Sequence, residues 1–481
     1  MSAASDGNSE PKQGQRSQSA RGFCPRSTMR VPQPDIIEQI LATMVSYVDT
    51  AMVGVMGAAG TAAVSVNAAP IWLSGGLLVG VGVGYSVQVS NAIGAGDDER
   101  ARQIIRQGVL ATLVTGFLGL LLFQALAPLI PRWLGAKPEV LPQAVSYLRC
   151  YTMAMPFIAA GYIFSAILRC MGNTKAPLYF NTAANLINIV LNFFLIYPTR
   201  TAVLFGAPVT LPGAGLGVAG AAIASAAALA FAGGALLIAG FRQGERFRIS
   251  LHDSFRPDRA IIRQAVHLGV PTAAERCTIN LGQIAMTAVV ASLSTVALAA
   301  NHIATTAEGL CYLPAYGISF AGIALVGQAV GAGSEEDAQA YGRLAALLGF
   351  FLTLGTAVAL FLLAPYLAAL FNSDAEVVAQ AALMLRIVSV SEPFFALSII
   401  LSGALRGAHD VRFPMVVGLL CMWGVRIVLA PILVYRAGMG LAGVWTAMAA
   451  DLILRGVLCA LRWRSGKWKT ICGLERAGVL R

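Results

Sequence analysis

Charged side chains are scarce in this chain of 481 residues, of which only 12% are Asp, Glu, Lys or Arg. Motifs of common catalytic sites are also missing: there is no P-loop, nucleophile elbow or dinucleotide-binding fingerprint. The four histidines are scattered, and the eight cysteines show neither disulfide nor metal-binding spacing. We therefore predict that the protein is not an enzyme and has no metal site and no cofactor.

Apolar residues dominate instead, at 57% of the chain, and they form long runs such as 109–127 and 344–364. A bilayer core of ~30 Å takes about 20 apolar residues per helix. Because the strict alternation of a membrane barrel is absent, we predict an all-α integral membrane protein. Its twelve transmembrane helices are expected at 34–56, 62–92, 106–130, 140–168, 177–198, 215–240, 271–294, 299–330, 343–368, 377–405, 414–435 and 438–461.

The sequence repeats itself after 237 residues. Pro34 and Glu38 recur as Pro271 and Glu275, and further landmarks keep this spacing: 94–96 with 331–333, and 168–169 with 405–406. The spacing shortens only after the Gly- and Pro-rich stretch 199–213, which indicates an insertion in the first repeat. Six helices per repeat is an even number, so we predict two parallel six-helix repeats related by an axis along the membrane normal.

Basic residues set the predicted orientation. They concentrate in the two tails and in the loops of one side, while the loops of the other side hold only Arg132, Lys137, Arg200 and Arg436. The positive-inside rule then places both termini in the cytoplasm and the protein in the inner (plasma) membrane as a multi-pass protein. The net charge of +11 is expected to face anionic lipid, so no nucleic-acid partner is predicted.

Five segments follow from these patterns. The polar segment 1–33 is predicted to be a disordered tail, since its composition cannot bury a core. We expect an N-lobe at 34–240, a cytoplasmic linker at 241–270, a C-lobe at 271–463 and a cytoplasmic tail at 464–481.

A carboxylate and a row of amides fall inside predicted helices. Asp49 follows Pro34 by 15 residues, and Asn192 follows Pro177 by the same number, so both are expected at one depth, with Asn188 one turn below. A carboxylate with two amides suits H⁺ or Na⁺. In the alternative interpretation, Asp49 is a structural acid and the row is interhelical hydrogen bonding; the row on that helix is Asn181, Asn185, Asn188 and Asn192.

The second repeat carries different charges. Glu308 is predicted near the membrane midplane with no obvious partner, which makes it a candidate contact for a cationic substrate. Arg426 and Arg455 are each expected to compensate the charge of Asp451, a role more structural than functional.

Two proline–glutamate pairs lie at the predicted inner boundary. Glu38 and Glu275 are interpreted either as partners of loop arginines or as a cytoplasmic gate between the lobes. Pro34 and Pro271 are either hinges, because proline removes a backbone hydrogen bond, or ordinary first-turn prolines.

Taken together, several motifs resemble the MATE (multidrug and toxic compound extrusion) family over about residues 34–465. The motifs are P-x3-E-Q at 34–39, V-D-T-x-M-V-G at 48–54, I-G-A-G-x2-E-x-A at 93–101, L-R-x2-G-N-T at 168–174, V-G-A-G at 330–333 and L-R-G-x2-D at 405–410. The resemblance implies two six-helix lobes around a central cleft and export driven by H⁺ or Na⁺ antiport.

The resemblance also implies an ion-coupling site in the N-lobe, carried over to Asp49, Asn188 and Asn192, with Ser225 as a further ligand. Some members have Asp where this chain has Asn192, which weighs against Na⁺. Other members place carboxylates midway along the seventh and tenth helices, but the matching stretches near Asn280 and Phe395 have none in register. A C-lobe ion site is therefore not expected.

The predicted function is secondary active multidrug efflux of cationic or amphipathic xenobiotics by alternating access, in a monomer that contacts drug-like cations and membrane lipid. One alternative is a lipid-linked oligosaccharide flippase of the same superfamily, which would be expected to show a basic cleft for pyrophosphate. Another is a channel or scaffold, but a duplicated lobe pair with a one-sided acid site favours alternating access.

Overall fold

The structure is a computed structural model, and it describes residues 34, 37, 38, 52, 54, 56–204, 207–243, 246–250, 253–372 and 374–474. The predicted tail 1–33, Asp49 and most of the first predicted span lie outside these described residues. The described residues form one compact unit.

The described part of the first repeat consists of helices and one hairpin. They are α1 (Gly57–Gly94), α2 (Asp98–Leu126), α3 (Ile130–Trp133), α4 (Leu141–Thr152), α5 (Met155–Cys170), α6 (Lys175–Leu195) and α7 (Gly217–Phe241). Between α6 and α7, the antiparallel strands β1 (Pro198–Leu204) and β2 (Ala207–Ala214) form a hairpin, with Pro198 paired to Ala214 and Leu204 to Ala207. The hairpin occupies the predicted insertion.

The second repeat follows the same order without a described hairpin. Its helices are α8 (Arg259–Ala291), α9 (Thr295–Gly331), α10 (Glu335–Ala369), α11 (Ala375–Ser389), α12 (Glu392–Gly407), α13 (Arg412–Leu419), α14 (Ile427–Pro431) and α15 (Leu441–Arg464), followed by the short α16 (Lys467–Ile471). Two π-helical segments, Leu420–Arg426 and Ile432–Arg436, continue α13 and α14 into one span.

Eight helices of the described residues are long and apolar enough to cross a membrane, and two bent pairs raise that number to ten. Large apolar side chains stand exposed on the outer helices, for example Phe117 and Leu121 on α2 and Phe351 and Leu362 on α10. Such exposure suits a lipid solvent. The two other predicted spans are 34–56, which is mostly undescribed, and 271–294, most of which lies in α8. The predicted all-α membrane architecture is confirmed.

Both spans predicted at 140–168 and 377–405 are bent, which the sequence interpretation missed. The pairs α4–α5 and α11–α12 meet at 52° and 53°. Pro156 and Pro393 stand in the first turn of the second helix of each pair. Proline cannot donate the backbone hydrogen bond that a continuous helix needs, so each span restarts there. The same bend in both repeats follows from the same proline.

Helix α8 begins well before the predicted boundary at 271. The side chain of Asp258 accepts hydrogen bonds from the backbone N–H groups of Ala260 and Ile261 and so caps a helix that starts at Arg259. The predicted linker 241–270 is therefore partly helical. Pro271 lies inside α8, so its interpretation as a first-turn proline is wrong.

The repeats meet where α1 crosses the equivalent helix α9. At Gly94 an added Cβ would overlap the backbone carbonyl of Gln328, and at Gly331 it would overlap that of Asn91. Only glycine permits so close an approach of two backbones. The Ser90 hydroxyl donates to the Ala324 carbonyl at 2.6 Å across the same crossing. This crossing joins the two repeats at one end of the bundle.

Candidate functional site

Three of the four predicted ion-coupling residues lie together in the first repeat. Asn192 Nδ2 donates to Asn188 Oδ1 at 3.1 Å, and Asn188 Nδ2 donates to the hydroxyl of Ser225 on α7 at 3.2 Å. Asn188 and Asn192 are buried because they share the face of α6 that packs against α7. Asp49 lies outside the described residues, so the contact between this row and a carboxylate stays a prediction.

Glu38 is bound within its own repeat. Arg169, in the last turn of α5, donates from Nη2 to both Glu38 carboxylate oxygens at 2.9 Å, and Asn181 Nδ2 donates to Oε1 at 2.6 Å. The Arg169 guanidinium also lies 4.5 Å from the centroid of the Phe320 ring, which belongs to the second repeat. Glu38 thus helps to fix an arginine that touches both repeats.

Glu275 repeats this arrangement on α8. Arg406, in the last turn of α12, donates from Nη2 to the two carboxylate oxygens at 2.9 and 2.8 Å. The prediction that Glu38 and Glu275 pair with loop arginines is confirmed, because Arg169 and Arg406 directly follow the spans predicted at 140–168 and 377–405. In the structure, the two arginines stand in the last turns of α5 and α12. The proposed gate and hinge roles of Pro34, Glu38, Pro271 and Glu275 stay predictions.

A cavity of about 370 Å³ adjoins the Glu38–Arg169 pair. Its wall is mostly apolar and comes from both repeats, with Val79 and Val83 on α1 and Phe320 and Ile323 on α9. Its polar groups are Glu38, Ser86, Tyr162, Ser165, Arg169, Asn181 and Asn185. Apolar walls with a few convergent polar groups are typical of small-molecule sites.

The predicted charge pairs of the second repeat are confirmed. Arg455 Nη2 donates to both oxygens of Asp451, at 2.7 and 2.9 Å. Arg426 Nη1 lies 4.0 Å from Asp451 Oδ2. All three side chains are buried. Desolvated charges persist only when they are paired, so these residues form one compensated unit between the π-helical segment at 420–426 and α15.

Glu308 is not without a partner, contrary to the sequence interpretation. Its carboxyl group lies close enough to the Glu392 carboxyl group and to Arg426 for electrostatic interaction. Glu308 is 5% exposed and Glu392 is fully buried. Among the described residues, neither Glu392 oxygen accepts a hydrogen bond of good geometry, and the Cys311 thiol lies beside this carboxyl group. Two neighbouring carboxylates repel each other when both are ionised, and a proton on one of them removes this repulsion.

Sequence reasoning missed Glu392. It stands at the first position of α12, at the bend in the middle of the span predicted at 377–405. The search for a matching carboxylate considered the stretch near Phe395, three residues later. The Glu-Pro dipeptide at 392–393 was an available signal, because an acidic residue beside a mid-span proline marks a helix N-terminus inside the membrane.

Comparisons with known proteins agree on one group. A sequence model of the MatE family matches residues 34–194 and 271–432, one match per repeat. A probable multidrug resistance protein NorM from Thermotoga maritima is 27% identical, covering 94% of this chain and 95% of its own length. The uncharacterized transporter YisQ of Bacillus subtilis is 28% identical, covering 90% and 93%. A crystal structure described as MATE in complex with MaL6 superposes with a TM-score of 0.85 at 22% identity, covering 95% of this chain and 99% of that one. That structural likeness shows a shared fold.

Proposed function

The chain belongs to the MatE family of membrane transporters, and from this membership we propose that it exports amphipathic organic compounds in exchange for protons by alternating access. The efflux class is supported by relatives that are named multidrug resistance proteins and that match this chain over nearly their whole length. We keep the predicted orientation, with both termini cytoplasmic, as part of this proposal.

The observation that carries proton coupling is the charge balance of the buried cluster in the second repeat. The cluster holds three carboxyl groups, those of Glu308, Glu392 and Asp451, against the two guanidinium groups of Arg426 and Arg455. One proton on the Glu308–Glu392 pair makes the cluster neutral. Its loss leaves a net negative charge away from water, which is costly in a low-dielectric interior.

Such a cluster can couple a proton to a change of conformation. A ligand shifts an equilibrium between two states only through unequal affinity for them. Water entering beside Glu308 and Glu392 in one state would stabilise the deprotonated pair, whereas the buried arrangement described above favours the neutral cluster. The proton would therefore be bound in one state and released in the other.

Sodium fits this cluster less well. Na⁺ takes several oxygen ligands, and among the described residues no group of three His, Cys, Asp or Glu side chains is arranged to hold a metal ion. The guanidinium of Arg426 already lies beside Glu308. In the first repeat, we retain Asp49 with Asn188, Asn192 and Ser225 as a second proposed coupling site.

The test is uphill transport in proteoliposomes of the purified full-length protein, with rhodamine 6G as substrate. A pH gradient is expected to drive accumulation, and a Na⁺ gradient at constant pH is not. Glu392→Gln mimics a permanently protonated residue, so we expect it to reduce pH-driven accumulation at least tenfold while substrate exchange without a gradient continues.

Two further variants decide which carboxylate carries the proton. Glu376→Gln, which alters an exposed acid in the first turn of α11, serves as the control and should transport normally. Asp49→Asn tests the first repeat in the same assay. If Asp49→Asn abolishes pH-driven accumulation and Glu392→Gln does not, the second-repeat cluster is not the coupling site. Accumulation driven by Na⁺ alone would refute proton coupling.

A further inference from the structure

Arg276 stands on α8 where this helix packs against α1 of the other repeat. A Cβ added to Gly76 on α1 would lie 3.1 Å from Arg276 Cβ. One turn further along α8, Asn280 Nδ2 donates to the backbone carbonyl of Trp72 at 3.3 Å. Arg276 therefore projects from the boundary between the two repeats, which is where an alternating-access transporter moves.

The guanidinium of Arg276 is surrounded by tyrosines. Nη1 donates to the Tyr316 hydroxyl at 3.4 Å, and Cζ lies 5.4 Å from the centroid of the Tyr316 ring. Tyr162, which extends from α5 of the first repeat, is close enough to interact electrostatically with the same guanidinium. Two phenols from different repeats thus flank one cation.

Arg276 lacks a carboxylate of its own among the described residues. The adjacent Glu275 is occupied by Arg406 at 2.8 Å, and Nε of Arg276 is buried without a hydrogen-bond partner there. The side chain as a whole is only half-buried, so a ligand can reach it. A desolvated guanidinium with unused donors is costly unless an anion completes its hydrogen bonds. Elsewhere in the described membrane region, Arg169, Arg406 and Arg455 each have a carboxylate partner.

We propose that Arg276, with Tyr162 and Tyr316, binds the carboxylate of those amphipathic substrates that carry one, so that organic anions or zwitterions are bound as well as cations. The planar guanidinium matches a carboxylate through two parallel hydrogen bonds. Tyr162, but neither Arg276 nor Tyr316, lines the cavity of about 370 Å³. Tyr162 therefore connects the arginine with an apolar wall that suits the hydrophobic body of such a molecule. This inference rests on the proposed export function, and it adds carboxylate-bearing compounds to the cationic class predicted from the sequence.

The test uses two dyes that differ in one group. Rhodamine 19 carries a free carboxylate, and rhodamine 6G is its ethyl ester. Binding of each dye to the purified full-length protein in detergent is measured by fluorescence anisotropy. Arg276→Gln is expected to weaken binding of rhodamine 19 at least about tenfold, the effect of losing charge-assisted hydrogen bonds, and to change binding of rhodamine 6G less than about twofold.

Two variants sharpen the result. Arg386→Gln removes an exposed arginine on α11 whose guanidinium lies 5.8 Å from the Phe361 ring, and it should bind both dyes as the parent does. Arg276→Lys keeps the charge without the planar fork, so rhodamine 19 should bind about threefold or more weakly while rhodamine 6G is unaffected. If Arg276→Gln is not recovered as monodisperse protein, Arg276→Lys decides the outcome.

The proposal is overturned if both dyes lose affinity equally in the Arg276 variants, or if neither does. Because binding in detergent requires no gradient, this result is independent of proton coupling. Transport of rhodamine 6G driven by a pH gradient in Arg276→Gln would show that the export function stands even if the carboxylate site fails.

Discussion

Removing the carboxylate of Glu275 is expected to destabilise the protein more than removing that of Glu38, although the two residues are repeat equivalents. Each is buried and each receives two short contacts from one arginine, Arg406 or Arg169. Substitution by Gln keeps the shape of the side chain and removes the charge. It leaves a buried guanidinium without a counterion.

Breaking a buried ion pair by removing one partner costs about 3–5 kcal/mol. For Glu275→Gln we expect the upper part of this range, because Arg406 has no other carboxylate partner among the described residues and its buried Nε has no hydrogen-bond partner there. For Glu38→Gln we expect the lower part, since Arg169 also contacts the Phe320 ring at 4.5 Å. The difference between the repeats should be about 1 kcal/mol or more, a typical value for such a contact.

The assay is reversible unfolding in mixed micelles of SDS and a mild detergent, followed by tryptophan fluorescence. Each single variant is compared with its double variant, Glu275→Gln with Arg406→Met and Glu38→Gln with Arg169→Met. The double variants should recover part of the loss, because no unpaired charge remains buried. Equal and small losses in Glu275→Gln and Glu38→Gln would refute the reasoning, since the pairs would then be solvated and not buried.

Two further predictions concern the crossing and a loop. Gly331→Ala adds a methyl group that overlaps the Asn91 carbonyl, so it should lower the free energy of unfolding by about 1–3 kcal/mol. In the control Gly355→Ala on α10, the added methyl group meets no atom within 4 Å, so stability should not fall. Thermal unfolding in detergent compares the two variants. Burial and, to a smaller extent, the charge of His267 lower the pKa of His409 in the loop between α12 and α13. As pH falls, this histidine is therefore protonated in the unfolded chain, near pH ~6.5, before it is protonated in the folded protein. The wild type should therefore lose thermal stability as pH falls from about 7.5 to 5.5. His409→Asn, which also tolerates the positive φ of 65° there, should lose less. An identical decrease in both proteins would exclude His409 as the source.

Much of the fold could be predicted because periodicity and repetition are properties of the chain itself. The 237-residue spacing correctly matched Glu38 with Glu275 and Arg169 with Arg406. Apolar runs gave the spans, but run length alone could not show the two bends, since composition stays apolar through each proline. The helical start at Arg259 was missed because α8 carries charge in its first turns, where hydropathy predicts a loop.

The candidate sites were harder to predict because they depend on contacts between distant segments. Asn188 and Asn192 share one helix face, so their proximity followed from helical geometry. Glu308 and Glu392 are 84 residues apart and meet only through the packing of α9 against α12. Arg276 falls within the predicted span 271–294, and nothing in the sequence placed Tyr162 and Tyr316 beside it.

The crossing of α1 and α9 has a consequence for how the protein responds to its surroundings. The groups that hold Gly94 and Gly331 together are backbone carbonyls, a serine hydroxyl and carboxamides, and none of these gains or loses a proton at physiological pH. The contact is also neutral, so salt should not screen it. The crossing of α1 and α9 is therefore expected to respond neither to pH nor to salt. Any dependence of the conformational change on pH must therefore come from ionisable groups outside this crossing.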